Sequence, residues 1–317
     1  TRCSRDWSSD VCSSDLVLVA ALLALLAGSL LTRRITAPVA AITRGATAVS
    51  GGDLNQHVQA QSGIPELDHL GQAFNRMVTS LVQSDQAKNA FVADVAHELR
   101  TPLTVIKGTI ETLEDGAMDD MEGRGPLLAA MQRETDRLIR LVNDLLILTR
   151  ADAGMLKLVL QPLDLGSLAE QRCAHLAPLA ARRGVTFEVR VQAETCILGD
   201  ADRLAQVLDN LLDNAVRYSP EGAAVVVDVT VQGNEGCCRV CDRGPGIPQK
   251  SLPHIFERFY RAEPSRNRQS GGAGLGLSIA SALVLAHGGR IFAESQPGSG
   301  TTLSFCLPAV PNCHETD

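Results

Sequence analysis

The 317-residue sequence lacks the clustered positive charge of a nucleic-acid-binding protein. Its net charge is −7, and no basic run stands out except Arg33-Arg34. Proteins that bind DNA or RNA carry basic patches that neutralise phosphates. We therefore expect no nucleic-acid partner.

A disulfide framework is also lacking. The nine cysteines are too sparse and too irregularly spaced for a disulfide scaffold. Cys237, Cys238 and Cys241 come nearest to a metal-binding pattern, but no second CxxC or histidine pair completes four ligands. We interpret them as buried thiols, which pack as small hydrophobic groups.

Residues 1–15 have neither a starting Met nor any hydrophobic period. We leave them unassigned, with a sequence-assembly artefact as one explanation, and expect the natural start to be missing. Residues 16–31 are uncharged and almost wholly apolar, but shorter than the roughly 20 residues of a spanning helix, so a signal-peptide core or a buried helix stays open. Arg33-Arg34 directly after them favour a truncated transmembrane helix whose C-terminal side faces the cytoplasm.

Residues 32–85 contain two helical patterns separated by a Gly- and Asn-containing connector. Each pattern has an apolar stripe too narrow to be buried alone, so the spacing predicts a parallel helical bundle made by two chains. A passive stalk is the alternative, because a heptad seam says nothing about signalling. The two stripes consist of Val39, Ile42, Ala46 and Val49, and of Leu67, Leu70, Phe74, Met77 and Leu81.

The stretch 91–115 places a histidine on an amphipathic helical pattern. His97 lies off the apolar stripe, so we expect it to face solvent. A neutral imidazole is a good nucleophile, and the Glu98 carboxylate next to it could accept its proton. Thr101 lies one turn further on, where its hydroxyl could orient a water molecule. Pro102 is expected to kink the helix beside these groups.

A second long helix is predicted over residues 126–150, after a loop at 116–125. Two amphipathic helices joined by a short loop form a hairpin, and two such hairpins make a four-helix bundle. Residues 151–163 lose the helical period and contain Gly154 and Pro162, so they are predicted to link the hairpin to a separate domain.

The remaining sequence alternates helical patterns with segments rich in β-branched residues, which predicts a helical layer on one face of a mixed sheet. Within it, Asn210 and Asn214 lie one turn apart on a helix, away from its buried stripe. Two amide oxygens so placed could share a Mg²⁺ ion that also binds phosphates. Arg217 could contact those phosphates, and Tyr218 could pack on a base.

Two glycine-rich turns complete a possible nucleotide site. In the first, the Asp242 carboxylate could accept a hydrogen bond from an adenine amino group, while Gly244 and Gly246 allow close backbone approach. In the second, a glycine-rich turn opens a helix, whose backbone amides could cradle phosphates. The polar segment 261–272 between the turns is interpreted as a lid over ATP. The glycines of the second turn are Gly272, Gly274 and Gly276.

These motifs together resemble those of bacterial sensor histidine kinases over residues 32–308. HELRTPL around His97 resembles the phosphoacceptor box, and Pro38 with PELDHLGQAFNRM resembles a HAMP relay module. Five segments follow the order of the N, G1, F, G2 and G3 boxes of the GHKL-type ATPase domain. They are NLLDNAVRYS, DRGPGIP, FERFYR, GGAGLGLSIA and GSGTTLSF.

The resemblance implies a multidomain α and α+β protein in six parts. It implies an α/β sandwich that binds ATP beneath a lid, Mg²⁺ at Asn210 and Asn214, and adenine at Asp242. It also implies a γ-phosphate contact from Arg258, and phosphoryl transfer from His97 to an aspartate of a response regulator receiver domain, with phosphatase activity. The parts are an unassigned segment (1–15), a transmembrane helix (16–31), a HAMP-like linker (32–85), a HisKA-like dimerisation domain (86–152), an ATP-binding domain (163–309) and a tail (310–317).

By the same resemblance we expect a homodimer in the inner membrane, with the catalytic part in the cytoplasm. Two alternatives remain. A GHKL-type ATPase of the gyrase, Hsp90 and MutL kind would need a glutamate base at position 210, which is Asn, and Asn cannot act as a general base. A catalytically degenerate dimeric scaffold would lack chemical residues that are all present here.

Overall fold

A computed structural model describes residues 8–59, 63–117, 120, 122–262, 273–311 and 313, with side chains from Leu16 onwards. The chain divides into two compact units, the first ending at Ala93 and the second beginning at Asp94. The first unit is helical. The second combines a helical hairpin with a domain built on β-sheets.

Seven α-helices and seven strands are found in the described part of the chain. The helices are α1 (Ser8–Leu31), α2 (Ala37–Ser50), α3 (Pro65–Thr112), α4 (Arg124–Asp152), α5 (Leu165–Ala181), α6 (Ala201–Tyr218) and α7 (Gly276–Ala286). The strands are β1 (Gln161–Asp164), β2 (Thr186–Val191), β3 (Cys196–Gly199), β4 (Ala224–Gln232), β5 (Glu235–Cys241), β6 (Arg290–Ser295) and β7 (Thr301–Pro308).

In the first unit, α1 continues into α2 through five residues of π-helical winding, Thr32–Thr36. Among the described residues, the helical stretch Leu16–Ser50 is long and apolar enough to cross a membrane, and its apolar part is not buried against protein. The helix thus extends on both sides of the predicted span 16–31.

The connector of the first unit is fixed by a side chain of α3. The Asn75 amide accepts a hydrogen bond from Val58 N at 3.0 Å and donates one to Val58 O at 2.8 Å. Gly45 on α2 is buried, and a Cβ atom there would lie 3.1 Å from the Phe74 ring. The two predicted helices therefore pack together, with the connector held against α3.

The hairpin of the second unit consists of the end of α3 and all of α4. α3 runs without interruption through Pro102, whose ring is buried. A π-helical turn, Leu113–Ala117, ends it, and Gly116 there has φ of 118°, which favours glycine. Leu141 and Leu148 of α4 are buried, as the predicted apolar stripe requires.

The domain after the hairpin contains a five-stranded sheet in the order β2-β4-β5-β7-β6. Only β2 and β4 pair in parallel, and the other neighbours are antiparallel. Alternate residues of β4 are buried, and the sheet is covered by α5 over β4 and by α6 over β5. The predicted helical layer on a mixed sheet is confirmed. Asp164 caps α5 by accepting from Gly166 N and Ser167 N.

The structure corrects two expectations. Residues 161–163 are not linker but belong to β1, which pairs antiparallel with β3 in a two-stranded sheet.

The second correction concerns the cysteines, because Cys237 is not a free thiol. The register of β5 and β7 sets it opposite Cys306, with 4.1 Å between the Cα atoms, and the two sulfurs are bonded. A second pair, Cys196 and Cys313, is also bonded, whereas Cys238 and Cys241 are free thiols as predicted.

Candidate active site

The imidazole of His97 lies on the exposed side of α3, as predicted from its position off the apolar stripe. Thr101, four residues on, donates a long hydrogen bond of 3.3 Å from its hydroxyl to the His97 carbonyl. The hydroxyl is thus on the same helical face as the imidazole. It is held only weakly, since a bond of this length is near the limit for an O–H donor.

Glu98 is partly buried and pairs with α4. Its Oε2 atom lies 3.4 Å from Nη2 of Arg137. Nη1 of the same arginine lies 3.7 Å from Oε2 of Glu134. Among the described residues, the pair with Arg137 involves only one of the two carboxylate oxygens of Glu98. The residue next to the candidate nucleophile in sequence thus carries a carboxylate that is oriented by the other helix of the hairpin.

An open groove of about 350 Å³ lies on α3, lined by residues that precede and follow His97 in sequence. Ala96, Leu99 and Leu103 provide its apolar lining, and Arg100 and Lys107 provide positive charge. Leu103 is 54% exposed. The groove therefore offers apolar and basic groups on the helix that carries His97.

The predicted metal residues lie on α6, where that helix meets the start of α7. Among the described residues, no hydrogen-bond partner reaches the buried Nδ2 atom of Asn210. A buried polar atom without a partner is costly, and the two ends of an amide exchange by a simple flip. The Asn210 amide is therefore suited to a polar ligand, and Asn214 lies one turn further along α6.

The second glycine-rich turn approaches α6 closely. Gly276 is the first residue of α7, and a Cβ atom there would lie 3.1 Å from Oδ1 of Asn210. Gly274 has φ of 74°. Backbone amides at the start of α7 thus lie beside the asparagine, where phosphate oxygens can be bound. Gly272 lies outside the described residues, as do residues 263–271 of the predicted lid.

Phe259 and Gly274, which lie on either side of residues 263–272 in sequence, are in contact through their backbones. Phe259 donates its amide hydrogen to the Gly274 carbonyl at 3.1 Å, and it has φ of 59°. A Cβ atom at Gly274 would lie 2.9 Å from the carbonyl carbon of Phe259. Glycine is therefore required at position 274 both by its φ value and by this close contact.

Asp242 is 8% exposed and follows β5. Its Oδ1 atom accepts hydrogen bonds from Gly244 N at 2.7 Å and Thr301 N at 3.1 Å. Burial raises the pKa of the Asp242 carboxyl, and these two backbone hydrogen bonds act in the opposite direction. The hydrogen bonds from described residues reach only Oδ1, so Oδ2 remains available to a donor such as an exocyclic amino group.

The glycines of the first turn allow backbone contacts that a side chain would prevent. A Cβ atom at Gly244 would lie 2.8 Å from the Tyr218 carbonyl oxygen. Gly246 has φ of 73° and lies against the Gln296 carbonyl. Tyr218 itself is 50% exposed at the end of α6. The turn is thus held against both α6 and the loop after β6.

Two predicted phosphate contacts have protein partners. Arg217 donates to Asp213 on its own helix at 3.0 Å, although its buried Nε atom lacks a partner among the described residues. Arg258 donates to Asp152, the last residue of α4. Each guanidinium is therefore oriented by a carboxylate through its Nη2 atom, and a phosphate contact would have to use its other donors.

Sequence reasoning missed two polar groups that support this site. Thr301 donates its backbone amide to Asp242, and Ser295 bonds the first glycine-rich turn and the loop between β6 and β7. The available signal was a polar residue at the end of a strand, but it did not indicate a partner.

The fold and site define a protein in which a helical hairpin with an exposed histidine precedes an α/β domain that carries two glycine-rich turns, one beside Asp242 and one beside Asn210. Comparison with known families agrees. Residues 30–83 match the HAMP domain, and residues 87–154 match the His Kinase A (phospho-acceptor) domain. Residues 199–311 match the histidine kinase-, DNA gyrase B- and HSP90-like ATPase. The chain belongs to the sensor histidine kinases of two-component systems.

Individual relatives carry the same domains. The chain is 37% identical over 293 residues to the signal transduction histidine-protein kinase BaeS of Escherichia coli, covering 92% of this chain and 62% of BaeS. It thus spans about three fifths of that relative. The histidine kinase AdeS of Acinetobacter baumannii is 26% identical with a TM-score of 0.57, covering 67% of this chain and 97% of AdeS.

Full-length ShkA, solved in complex with AMPPNP, is 32% identical with a TM-score of 0.54. The match covers 70% of this chain and 46% of ShkA.

Proposed function

We propose that this chain is an ATP-dependent protein histidine kinase that phosphorylates His97 and passes the phosphoryl group to an aspartate of a response regulator receiver domain. The observation that carries the proposal is the exposed imidazole of His97, with the Glu98 carboxylate next to it in sequence. A nucleophile that receives a group from another domain has to be accessible to that domain, and the imidazole of His97 is exposed to solvent.

In the proposed reaction a ring nitrogen of His97 attacks the γ-phosphorus of ATP. An N–P bond forms, the bond to the bridging oxygen breaks, and ADP leaves. The proton on the other ring nitrogen passes to Glu98, which acts as general base. Arg137 orients that carboxylate through the ion pair described above. Charge neutralisation of the phosphates is what Mg²⁺ supplies when bound.

For the nucleotide we propose that Asp242 accepts the adenine amino group through Oδ2, and that Asn210 and Asn214 hold Mg²⁺. Gly244 and Gly246 would permit the base to approach the first turn. Arg217, Tyr218, Arg258 and the glycines at 272, 274 and 276 remain proposed contacts to the base or phosphates.

The hairpin also supports a homodimer. Apolar side chains of both helices are at least 40% exposed in the single chain, and an apolar surface of this kind in a helical hairpin favours pairing with a second copy. The exposed residues of the hairpin are Leu103, Val105, Ile110, Leu128, Ile139, Val142 and Leu146.

We further propose that the apolar helix anchors the protein in the inner membrane, with the catalytic part in the cytoplasm.

The test is to incubate the purified chain in detergent with Mg²⁺ and γ-labelled ATP. The label should be lost in acid and survive alkali, as expected of phosphohistidine. His97→Gln should abolish labelling while ADP binding persists. His175→Gln, which changes an exposed histidine on α5, is the matched control and should label normally. Persistent labelling of His97→Gln would refute the site.

The same reaction distinguishes the other candidates. A GHKL-type ATPase would release phosphate without labelling the chain, and a degenerate scaffold would bind or label nothing. Addition of receiver domains to the labelled protein would then identify the regulator by loss of label from His97.

A further inference from the structure

The Ser295 hydroxyl, at the end of β6, has a full set of hydrogen bonds. It accepts from the Ile247 amide at 2.8 Å and donates to the Gly300 carbonyl at 2.7 Å. The Thr301 hydroxyl lies 3.0 Å away and can donate to its remaining lone pair. A hydroxyl offers one donor and two acceptor positions, so these three partners use all of them.

These partners belong to the two turns that enclose Asp242. Ile247 ends the first turn, Gly300 ends the loop between β6 and β7, and Thr301 begins β7. Gly298 N also bonds the Pro245 carbonyl directly, at 2.7 Å. Ser295 adds to these links, and its contribution is made by a side chain that a substitution can remove.

The link leads directly to the base-recognition group. Thr301 donates its amide to Oδ1 of Asp242 at 3.1 Å and accepts from the Asp242 amide at 2.8 Å. A shift of Gly300 and Thr301 would therefore move the Asp242 carboxylate. Since hydrogen-bond strength depends steeply on distance and angle, such a shift would weaken a bond from Oδ2 to a base.

We propose that Ser295 is a positioning residue for adenine recognition: its hydroxyl clamps the two turns so that Oδ2 of Asp242 is aimed at the exocyclic amino group of the base. This inference rests on the proposed function, since it assumes that Asp242 binds adenine. Ser295 itself does not touch the nucleotide in this proposal.

The test measures the rate of His97 labelling by the full chain against ATP concentration. In Ser295→Ala the half-saturating ATP concentration should rise about tenfold, since two backbone groups lose their partner, while the maximal rate should stay unchanged. Ser295→Thr, which keeps the hydroxyl, should restore the wild-type value. Ser299→Ala makes the same change at an exposed serine of the same loop and should have no effect.

The preference for adenine over guanine nucleotides provides a second measurement, which would not change if Ser295 had only a structural role. Calorimetric titration should show a smaller ratio of ADP affinity to GDP affinity in Ser295→Ala than in the wild type. The reason is that the Asp242 carboxylate, which binds the amino group of the base, is no longer fixed. A half-saturating concentration within twofold of wild type, or a lower maximal rate at unchanged half-saturation, would overturn the proposal.

If Ser295→Ala does not fold, Ser295→Cys keeps the volume with a weak hydrogen-bonding group and should shift the half-saturating concentration in the same direction. An unchanged value in that variant would also overturn the proposal. Failure of the wild-type chain to label would instead refute the kinase function, and the ADP affinities of the variants would still decide the role of Ser295.

Discussion

Arg137 on α4 reaches across the hairpin to Glu98, the residue next to the candidate phosphoacceptor, with 3.4 Å between Nη2 and Oε2. Both side chains are mostly shielded from solvent, with 33% and 26% of their surface exposed. The second helix of the hairpin thus controls the orientation of the proposed base on the first.

Arg137→Met should therefore slow autophosphorylation by about five- to tenfold, because the Glu98 carboxylate loses an orienting partner. ADP affinity, measured by calorimetry, should not change. The control is Arg133→Met, which alters an exposed arginine one turn earlier on α4. Equal rates for the two variants would exclude Arg137 from the mechanism.

Asn214→Ala should weaken ADP binding by about tenfold or more in the presence of Mg²⁺, because an oxygen ligand is lost. In EDTA, the variant and the wild type should bind equally. Gln206→Ala removes another side-chain amide from the same helix and should leave both affinities unchanged. A loss of affinity that is the same with and without Mg²⁺ would argue against the metal role.

Thr101→Ala should leave autophosphorylation intact and slow dephosphorylation of the cognate regulator. The hydroxyl gives up only a 3.3 Å bond to the His97 carbonyl, so the helix should lose little stability. Thr104→Ala removes a shorter bond of the same kind, 2.9 Å to Arg100 O, and is the control. Identical dephosphorylation rates in wild type and Thr101→Ala would remove Thr101 from the phosphatase reaction.

Burial raises the pKa of Asp144 on α4 to about 6, although Arg140 acts in the opposite direction. The folded state then holds a proton that the unfolded state releases near pH 4. Stability should therefore fall as the pH rises from about 4 to about 6, and then level off. Thermal melts across this range measure the effect.

Asp144→Asn should remove this pH dependence and raise the melting temperature at pH 7.5, because no buried charge has to form. Asp136→Asn, at an exposed position of the same helix, is the matched control. If Asp144→Asn melts with the wild-type pH profile, another group is responsible.

Much of the fold could be predicted because its signals are local. The apolar stripe of α6, the alternation in β4 and the cap at Asp164 each depend on residues within one or two turns. The exposure of His97 followed from the same helical period. The order of the domains was predicted as well, since each has its own motif.

What the sequence did not reveal depends on distant partners. β1 and β3 are four residues each, and Pro162 or Gly199 weakens their strand signal, so only their mutual pairing defines them. Cys237 meets Cys306 through the register of two strands 69 residues apart in sequence. Arg258 and Asp152 likewise meet only in the folded chain. The contact between Ser295 and Ile247 is of this kind too.

The surroundings of Asp242 are made largely of main-chain atoms: the amides of Gly244 and Thr301 bind it, and the carbonyls of Tyr218 and Gln296 press on the glycines beside it. A point mutation replaces a side chain but leaves these atoms in the chain. A change of side chain at Thr301 or Gln296 would therefore leave in place the main-chain groups that surround this carboxylate.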